Sequence, residues 1–353
     1  MDGHVVNVLV TGVGGNVGQG IIKSLKMSCL RTKIVVTDID PRSAGLFRGD
    51  AGYILPHAKD RFFLERFIDV CESEQIDAVL VGSEAELEVL AKHKEEIETA
   101  TRAKVIVSTS EVIDISNDKW KTFEFLKSNG FNYPKTVLAS DEEGKAELLR
   151  QVSFPLVIKP RCGYGAQNVY KVSDKRQMDN MLHEIVGDSA EDYMIQEYLG
   201  AGDDEYTSGC FYDMNGQHKG TITMSRQLKA GTTYKAEIND YPDVETEVIR
   251  VLNALKPLGP CNVQSRLHNN MIVTFEINAR FSGTSVIRAY YGFNEVEASL
   301  RHYVLEEADV DLGYRHGVAL RYWDEVYLDA ADFDLIRRQG FIKKNASKII
   351  DNL

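Results

Sequence analysis

Thr274-Phe275-Glu276-Ile277-Asn278-Ala279-Arg280-Phe281-Ser282-Gly283-Thr284 reads as a strand that runs into a loop. Strand side chains alternate between faces, so Glu276, Asn278 and, if the strand continues, Arg280 share one side. Val273, Phe275 and Ile277 take the other. A carboxylate and an amide side by side offer oxygens to a hard cation, and a neighbouring guanidinium can meet phosphate oxygens as a fork. The ordinary alternative is a half-buried edge strand with a polar face. Other segments have to decide between them.

The 353 residues suffice for two or three domains. Hydrophobic content of 43% and charged content of 27% are those of a soluble globular enzyme. A net charge of −12 argues against a nucleic-acid surface, though not against local basic pockets. The five cysteines (Cys29, Cys71, Cys162, Cys210, Cys261) are scattered and form no CxxC, which suits a reducing cytoplasm. No apolar run reaches the ~20 residues of a spanning helix. Asp2 and His4 stand where a signal peptide carries positive charge. The expectation is a cytoplasmic protein that engages neither membrane nor nucleic acid.

The first ~110 residues alternate strand and helix, with apolar strands at 5–10, 33–37, 77–81 and 104–107 and a helix over 61–74. Such runs indicate a parallel, doubly wound sheet covered on both faces. A helix follows over 117–129, capped by Asn117 or Ser116 and stopped by Gly130. Strands at 155–159, 168–172 and 193–198 with a helix from Lys175 form a small α+β unit. Strands near 206–213, 220–226, 261–267 and 272–278 then read as antiparallel, with Asn215-Gly216 as a hairpin signal and a helix at 244–255. The fold class is therefore α/β followed by α+β. The basic tail residues Arg337, Arg338, Lys343 and Lys344 read as a solvated face.

Gly12, Gly15 and Gly18 follow the first strand and open a helix, and Asp38 closes the second strand, as in a dinucleotide site. Two features oppose that reading. No tyrosine has a lysine four residues on, and residues beyond ~115 do not resemble a hydride-acceptor domain. No Gly-Lys-Ser/Thr follows to make a P-loop.

Four segments of the second half suit one ligand. Lys159 ends an apolar strand and can project into a cleft as a point charge for phosphate. Gly163-Tyr164-Gly165-Ala166 can cover phosphates with backbone N–H groups. The strand through Glu197-Tyr198-Leu199 leaves by a glycine hinge able to read a purine edge, and Asp203, Asp204 or Glu205 can accept from ribose hydroxyls. Gln264 falls opposite Glu276 if the hairpin loop is Asn269-Asn270-Met271; a two-residue loop in regular strands would turn it to the wrong face. The longer loop is expected.

In this order, with Asn117-Asp118-Lys119 before them, these segments resemble the ATP-grasp superfamily. The nearest flavour is one synthetase unit of the carbamoyl phosphate synthase large subunit and related carboxylate–amine (amino-acid) ligases. The resemblance covers roughly residues 5–310. It implies a doubly wound pre-ATP-grasp domain over 1–112 and a two-lobed ATP-grasp domain over 113–312, with a lid lobe at about 130–196 and a metal and substrate lobe at about 197–312. Residues 313–353 are a C-terminal extension. It implies that Lys119 and Lys159, with Gly163 and Gly165, contact the phosphates of ATP. Glu197, Tyr198 and Leu199 would form the adenine hinge, and Glu205 would hold the ribose, with Asp204 as its alternative. Gln264, Glu276 and Asn278 would hold one or two Mg²⁺ (or Mn²⁺), and Arg280 would steady the transferring phosphoryl group. The glycine loop would serve the acceptor substrate. The implied reaction is ADP-forming: a carboxylate becomes an acyl phosphate, which an amine then takes up. Phosphoryl transfer of this kind needs positioning and charge neutralisation rather than a nucleophilic side chain. Cys162 is thus an incidental thiol.

Four features depart from the pattern, two of them slight: Ala279 stands where many members have proline, and Asp203, Asp204 and Glu205 crowd together after a slightly long hinge. Gln264 is an amide where a carboxylate is usual, and the 353 residues hold no second synthetase unit and no glutaminase, which points away from carbamoyl phosphate as product. For the substrates, Ser282, Gly283 and Thr284 can offer N–H groups, and Arg226, Lys229 and Arg288 are candidate carboxylate anchors, each weighed against a surface ion pair. The partners expected are a small carboxylate and an amine, with a homodimer compatible. An NAD(P)-dependent oxidoreductase using Gly12 to Gly18, or a non-catalytic ATP-binding module, are the competing readings.

Overall fold

The computed structural model describes residues 5–163, 167–200, 205–322 and 325–343. Its first sheet contains β1 (Val6–Val10), β2 (Thr32–Asp38), β3 (Ala51–Ile54), β4 (Ala78–Leu80) and β5 (Lys104–Ile106), all parallel. Alternate residues of β1 explain its continuous apolar run. Leu9 packs with Phe63 and Phe67 on one face, while Val8 and Val10 pack with Ile21 and Leu25 on the other. Burial on both faces leaves no polar side to alternate with.

The second sheet contains β6 (Thr136–Leu138), β7 (Leu156–Pro160), β8 (Tyr170–Val172) and β9 (Tyr193–Glu197) in the order β6-β9-β7-β8, antiparallel throughout. The third contains β10 (Glu205–Tyr212), β11 (His218–Lys229), β12 (Thr232–Ile238), β13 (Gly259–His268), β14 (Met271–Asn278) and β15 (Gly317–Leu320) in the order β14-β13-β10-β11-β12-β15, again antiparallel. The turn at Asn215-Gly216, with Gly216 at φ +70°, joins β10 to β11 as expected. The short strand β16 (Phe341–Lys343) returns to the first sheet as an antiparallel edge beside β3. Its order becomes β16-β3-β2-β1-β4-β5, and the direction of winding reverses between β1 and β4. No helix among the described residues is long and apolar enough to cross a membrane.

Two expectations fail in instructive ways. The helix expected over 117–129 is present as Lys119–Ser128, but it is the second of two, with Ser110–Asn117 before it. Asp118, not Asn117 or Ser116, caps the second, accepting from the Trp120 N–H at 2.8 Å.

The β13–β14 hairpin closes at His268 and Met271, so its loop is the two-residue Asn269-Asn270 and not the longer one. Both turn residues have positive φ (+50° and +61°), the mark of the tight hairpin turn that matches strand twist. Gln264 nevertheless faces Glu276. The register runs Ser265 to Thr274 and then Gln264 to Glu276, leaving Phe275 as an extra residue in a β-bulge. The bulge corrects the parity that the short loop would have spoiled. It also turns Phe275 into the cleft beside Glu276, whereas strict alternation assigns it to the opposite face.

The turn supplies a stability test. Asn270→Val puts a β-branched residue at φ +61° and is expected to cost about 1–2 kcal/mol. Asn270→Gly should be neutral or slightly stabilising. Chemical denaturation of the three proteins checks this, and equal midpoints for Val and Asn would contradict the turn.

Candidate functional site

One cleft of about 1010 Å³ runs from the second sheet, across the floor of the third, to the carboxyl ends of the first. Its floor is a chain of polar side chains on β10, β11, β13 and β14. Arg226 donates to Glu205 at 2.7 and 2.9 Å and to the Gln264 Oε1 at 2.6 Å. Arg266 donates to the other Glu205 oxygen. Gln264 Nε2 reaches Glu276 Oε1 at 3.3 Å, and Asn278 Nδ2 reaches the same oxygen at 3.0 Å. Arg280 then donates to Asn278 Oδ1 at 3.1 Å and to Glu84 on the helix Glu84–Lys92 of the first domain.

Lys159 stands over this floor. It is 7% exposed, and its Nζ donates to Gln196 Oε1 at 2.8 Å. Burial, with Lys119 adding to it and Glu276 opposing it, pulls its ammonium down to about 8. Burial also works against ionising Glu276, but Lys119, the Asn278 amide, Lys159 and Arg226 outweigh it and hold the carboxyl below its ordinary range. Lys119 opens the helix Lys119–Ser128 and donates to the Gly163 carbonyl at 2.8 Å. Asp118 and Arg161, paired at 2.5 Å, tie that helix to the end of β7 and so bring the two lysines together. Asp118 entered the sequence reading only within Asn117-Asp118-Lys119 and Arg161 not at all, because their partnership spans 43 residues.

Glu197, Tyr198 and Leu199 line the far end of the cleft with Gly200. The Glu197 carboxylate accepts from the Lys135 N–H at 3.1 Å and lies 3.3 Å from His268. Lys171 sits 4.1 Å over the Tyr198 ring. Glu205 lines the cleft, but both its oxygens are occupied by arginines, so a ribose hydroxyl would have to displace one of them. Gly165, Asp203 and Asp204 lie outside the described residues.

Among the substrate candidates, Arg226, Ser282, Gly283 and Thr284 line the cleft. Lys229 does not: the register of β11 slips between Gln227 and Leu228, and Lys229 ends exposed, 4.9 Å over the Tyr234 ring. Nor does Arg288, which is 0% exposed. Its guanidinium lies against Gly209, where any side chain would collide with it, and pairs with Glu295 at 3.1 Å and with Asn262. Its role is to hold Asn262, a cleft residue missed in the sequence; Thr207 also donates to the Asn262 side chain at 2.9 Å.

The residues that would take a metal fit one. Glu276, Gln264 and Asn278 bring one carboxylate and two amide groups together, which suit a hard cation once the amide oxygens, here accepting from Arg226 and Arg280, turn toward it. Among the described residues no cluster of three His, Cys, Asp or Glu competes with it.

At the first domain's end, the Asp38 carboxylate accepts from the Gly14 N–H at 2.6 Å, the Ser43 hydroxyl at 2.8 Å and the Asp40 N–H at 3.1 Å. It braces its own loop and does not wait for a ribose, which removes the main support for dinucleotide binding. Gly12 and Gly18 allow close backbone packing around Gly82 and Ser83. Glu86, also missed, lines this end and is 5% exposed. Its spacing of four to Leu90 marks it as facing inward on the helix, a signal readable in the sequence.

Residues 8–106 match the family described as PylC-like, N-terminal domain, and residues 116–284 match the ATP-grasp domain. The carbamoyl phosphate synthase large chain of Campylobacter jejuni is 26% identical over 311 residues, covering 78% of this chain and 26% of its own length. That of Helicobacter pylori is 23% identical over 304 residues, 78% of this chain and 27% of its own. The chain thus spans about a quarter of these relatives. Among solved structures, N5-carboxyaminoimidazole synthetase from Staphylococcus aureus with ADP superposes with a TM-score of 0.67 at 14% identity, over 89% of this chain and 80% of that one. L-amino acid ligase from Bacillus licheniformis gives 0.62 at 17%, over 87% and 75%. These likenesses establish the shared fold.

Lys159 yields a pH test. A lysine at about 8 in the folded chain and at its ordinary 10.5 when unfolded binds fewer protons folded between those values, so its contribution to stability rises with pH there. Lys159→Met should flatten the rise in denaturation midpoint between pH 8 and 10.5. An unchanged slope would contradict the burial of a charged lysine.

Proposed function

We infer, for a chain that belongs to the ATP-grasp superfamily through its domain over residues 116–284, that it activates a small carboxylate with ATP and joins it to an amine, releasing ADP and phosphate. The observation that carries this is the floor from Arg226 through Gln264, Glu276 and Asn278 to Arg280, facing Lys159 across one cleft. Functionally the chain divides near residues 112 and 312, the first part serving the acceptor side.

In this reading Lys119, Lys159 and the Gly163 turn hold the nucleotide phosphates, and Glu197, Tyr198 and Leu199 hold the adenine. Magnesium or manganese, when bound to Gln264, Glu276 and Asn278, supplies charge neutralisation at the phosphate oxygens. A carboxylate oxygen of the substrate attacks the γ-phosphorus as its bond to the β-phosphate oxygen breaks, giving an acyl phosphate and ADP. Arg280 and Lys159 offset the charge on the transferring group, which is the work such a transition state asks of a protein. The amine nitrogen then attacks the carbonyl carbon, its proton leaves, and phosphate departs.

A simple ATP sensor would not need the cleft to continue beyond Arg280. Here it extends past the Arg280–Glu84 pair to the first sheet, leaving space for a second reactant. The structural neighbours crystallised with ADP and as a β-γ-ATP complex, and the amino acid ligase among them, support ATP use and ligation.

The test is ADP release over pooled carboxylates and amines with magnesium. Turnover should require both an acid and an amine, and Glu276→Ala should lower it by about 100-fold or more. ADP release that ignores both pools, or survives Glu276→Ala, refutes the assignment.

A further inference from the structure

We propose that Glu86 is the docking point for the protonated amino group of a substrate, at the end of the cleft where the first sheet reverses its winding. The identity of that substrate as a reactant rests on the ligase reading; the binding itself does not.

Three independent observations converge. Glu86 is only 5% exposed, yet lines the cleft, and its Oε2 has no hydrogen-bond partner. A buried carboxylate oxygen without a partner is costly, and proteins keep one mainly where a ligand completes it. Second, the groups around it lack a cation. The Thr11 hydroxyl favours its charged form and Asp38 opposes it, while burial is the largest influence; together they push it up to about 7. On its own helix, Glu84 is already paired with Arg280. Asp38, at the end of β2, is saturated by Gly14, Ser43 and Asp40. His57, from the segment after β3, lines the same end. Third, the position is a crevice by topology. Thr11 and Gly12 leave β1, Gly82 and Ser83 leave β4, and the strand order turns between those two strands, where doubly wound sheets bind small ligands.

The missing partner is therefore a donor, and a positive one. An ammonium group supplies three N–H donors and the charge that a buried carboxylate lacks. A second carboxylate would meet Glu86, Asp38 and Glu84 in repulsion. Glu86 and Arg280 line the same cleft, so a molecule held by its amino group on Glu86 shares that cleft with the end of the polar floor.

The amino group can belong to an amino acid whose carboxylate is activated, or to the amine acceptor, and two measurements separate these. The first is calorimetric titration of the full chain with ethanolamine, putrescine and the protein amino acids, each against its counterpart without the amino group. The parent should bind at least one amino compound and Glu86→Gln should bind it about tenfold or more weakly. Parent affinity should also fall about tenfold per pH unit below pH 7, as the carboxylate protonates. Gln keeps the shape and the Thr11 contact, so folding is preserved, and the melting temperature confirms it. Equal affinity in parent and Glu86→Gln, or no amino compound bound by the parent, overturns the proposal.

The second measurement traps the acyl phosphate with hydroxylamine as a hydroxamate. If Glu86→Gln loses hydroxamate formation from an amino acid, Glu86 holds the activated acid. If it keeps hydroxamate but loses amide formation, Glu86 holds the acceptor. Absence of hydroxamate from the parent with every acid would refute the ligase reading, while the titration still decides Glu86.

Discussion

Keeping Glu276 ionised at the bottom of a cleft is the constraint from which the rest of the site follows. Burial alone would neutralise it, and a neutral carboxyl neither holds a cation nor anchors two amides. Lys119, Lys159 and Arg226 supply the opposing field, and each comes from a different element. The penalty reappears on Lys159, whose ammonium is pulled down to about 8 by the same burial. The two groups are therefore adjusted together. Removing Glu276 takes away the charge that supports the Lys159 ammonium, whereas removing Lys159 leaves Glu276 with Lys119 and Arg226.

The floor also couples the domains. Its last link, Arg280, donates to Glu84 on the first domain, and the loop after it approaches the glycine turn so closely that a side chain on Gly283 would strike Asn16. Arg321, beyond β15, donates to Asn16 Oδ1 at 2.7 Å and to the Gly283 carbonyl. Beneath them the apolar core is shared: Cys210, Val263 and Ile277 of the third sheet pack in the same cluster as Leu9 and Val79 of the first. The C-terminal segment supplies Arg321, the strand β15 beside β12 and the edge strand β16 beside β3.

Much of this was legible in the chain because local rules and global fold agree there. The apolar strands of the first sheet, the Asn215-Gly216 turn and the polar face at Glu276 all follow from periodicity and turn chemistry. The hairpin shows where such reasoning stops. Asn269-Asn270 does form the tight turn its residues favour, and parity alone would then turn Gln264 away. A bulge at Phe275 overrides parity, and nothing in the residue types announces it, since bulges answer to the site and not to propensity. Arg288 and Glu205 show the same limit. A basic or acidic side chain is visible in sequence, but the distant partner that occupies it is not.

The orientation of the two amides gives the floor a further property. Gln264 and Asn278 each direct an N–H to Glu276 and an oxygen to an arginine, Arg226 and Arg280 respectively. A cation shared by these three side chains needs those amide oxygens facing it, because an amide N–H repels a cation. Turning them inward breaks both arginine contacts. Arg226 keeps Glu205, and Arg280 keeps Glu84, so neither is stranded, yet each recovers a free N–H on the cleft side. A cation taken up there would thus be linked to anion binding through two amide rotations. An amide at position 264 serves this exchange better than a carboxylate, which would hold Arg226 by charge as well as by hydrogen bond and release it less readily.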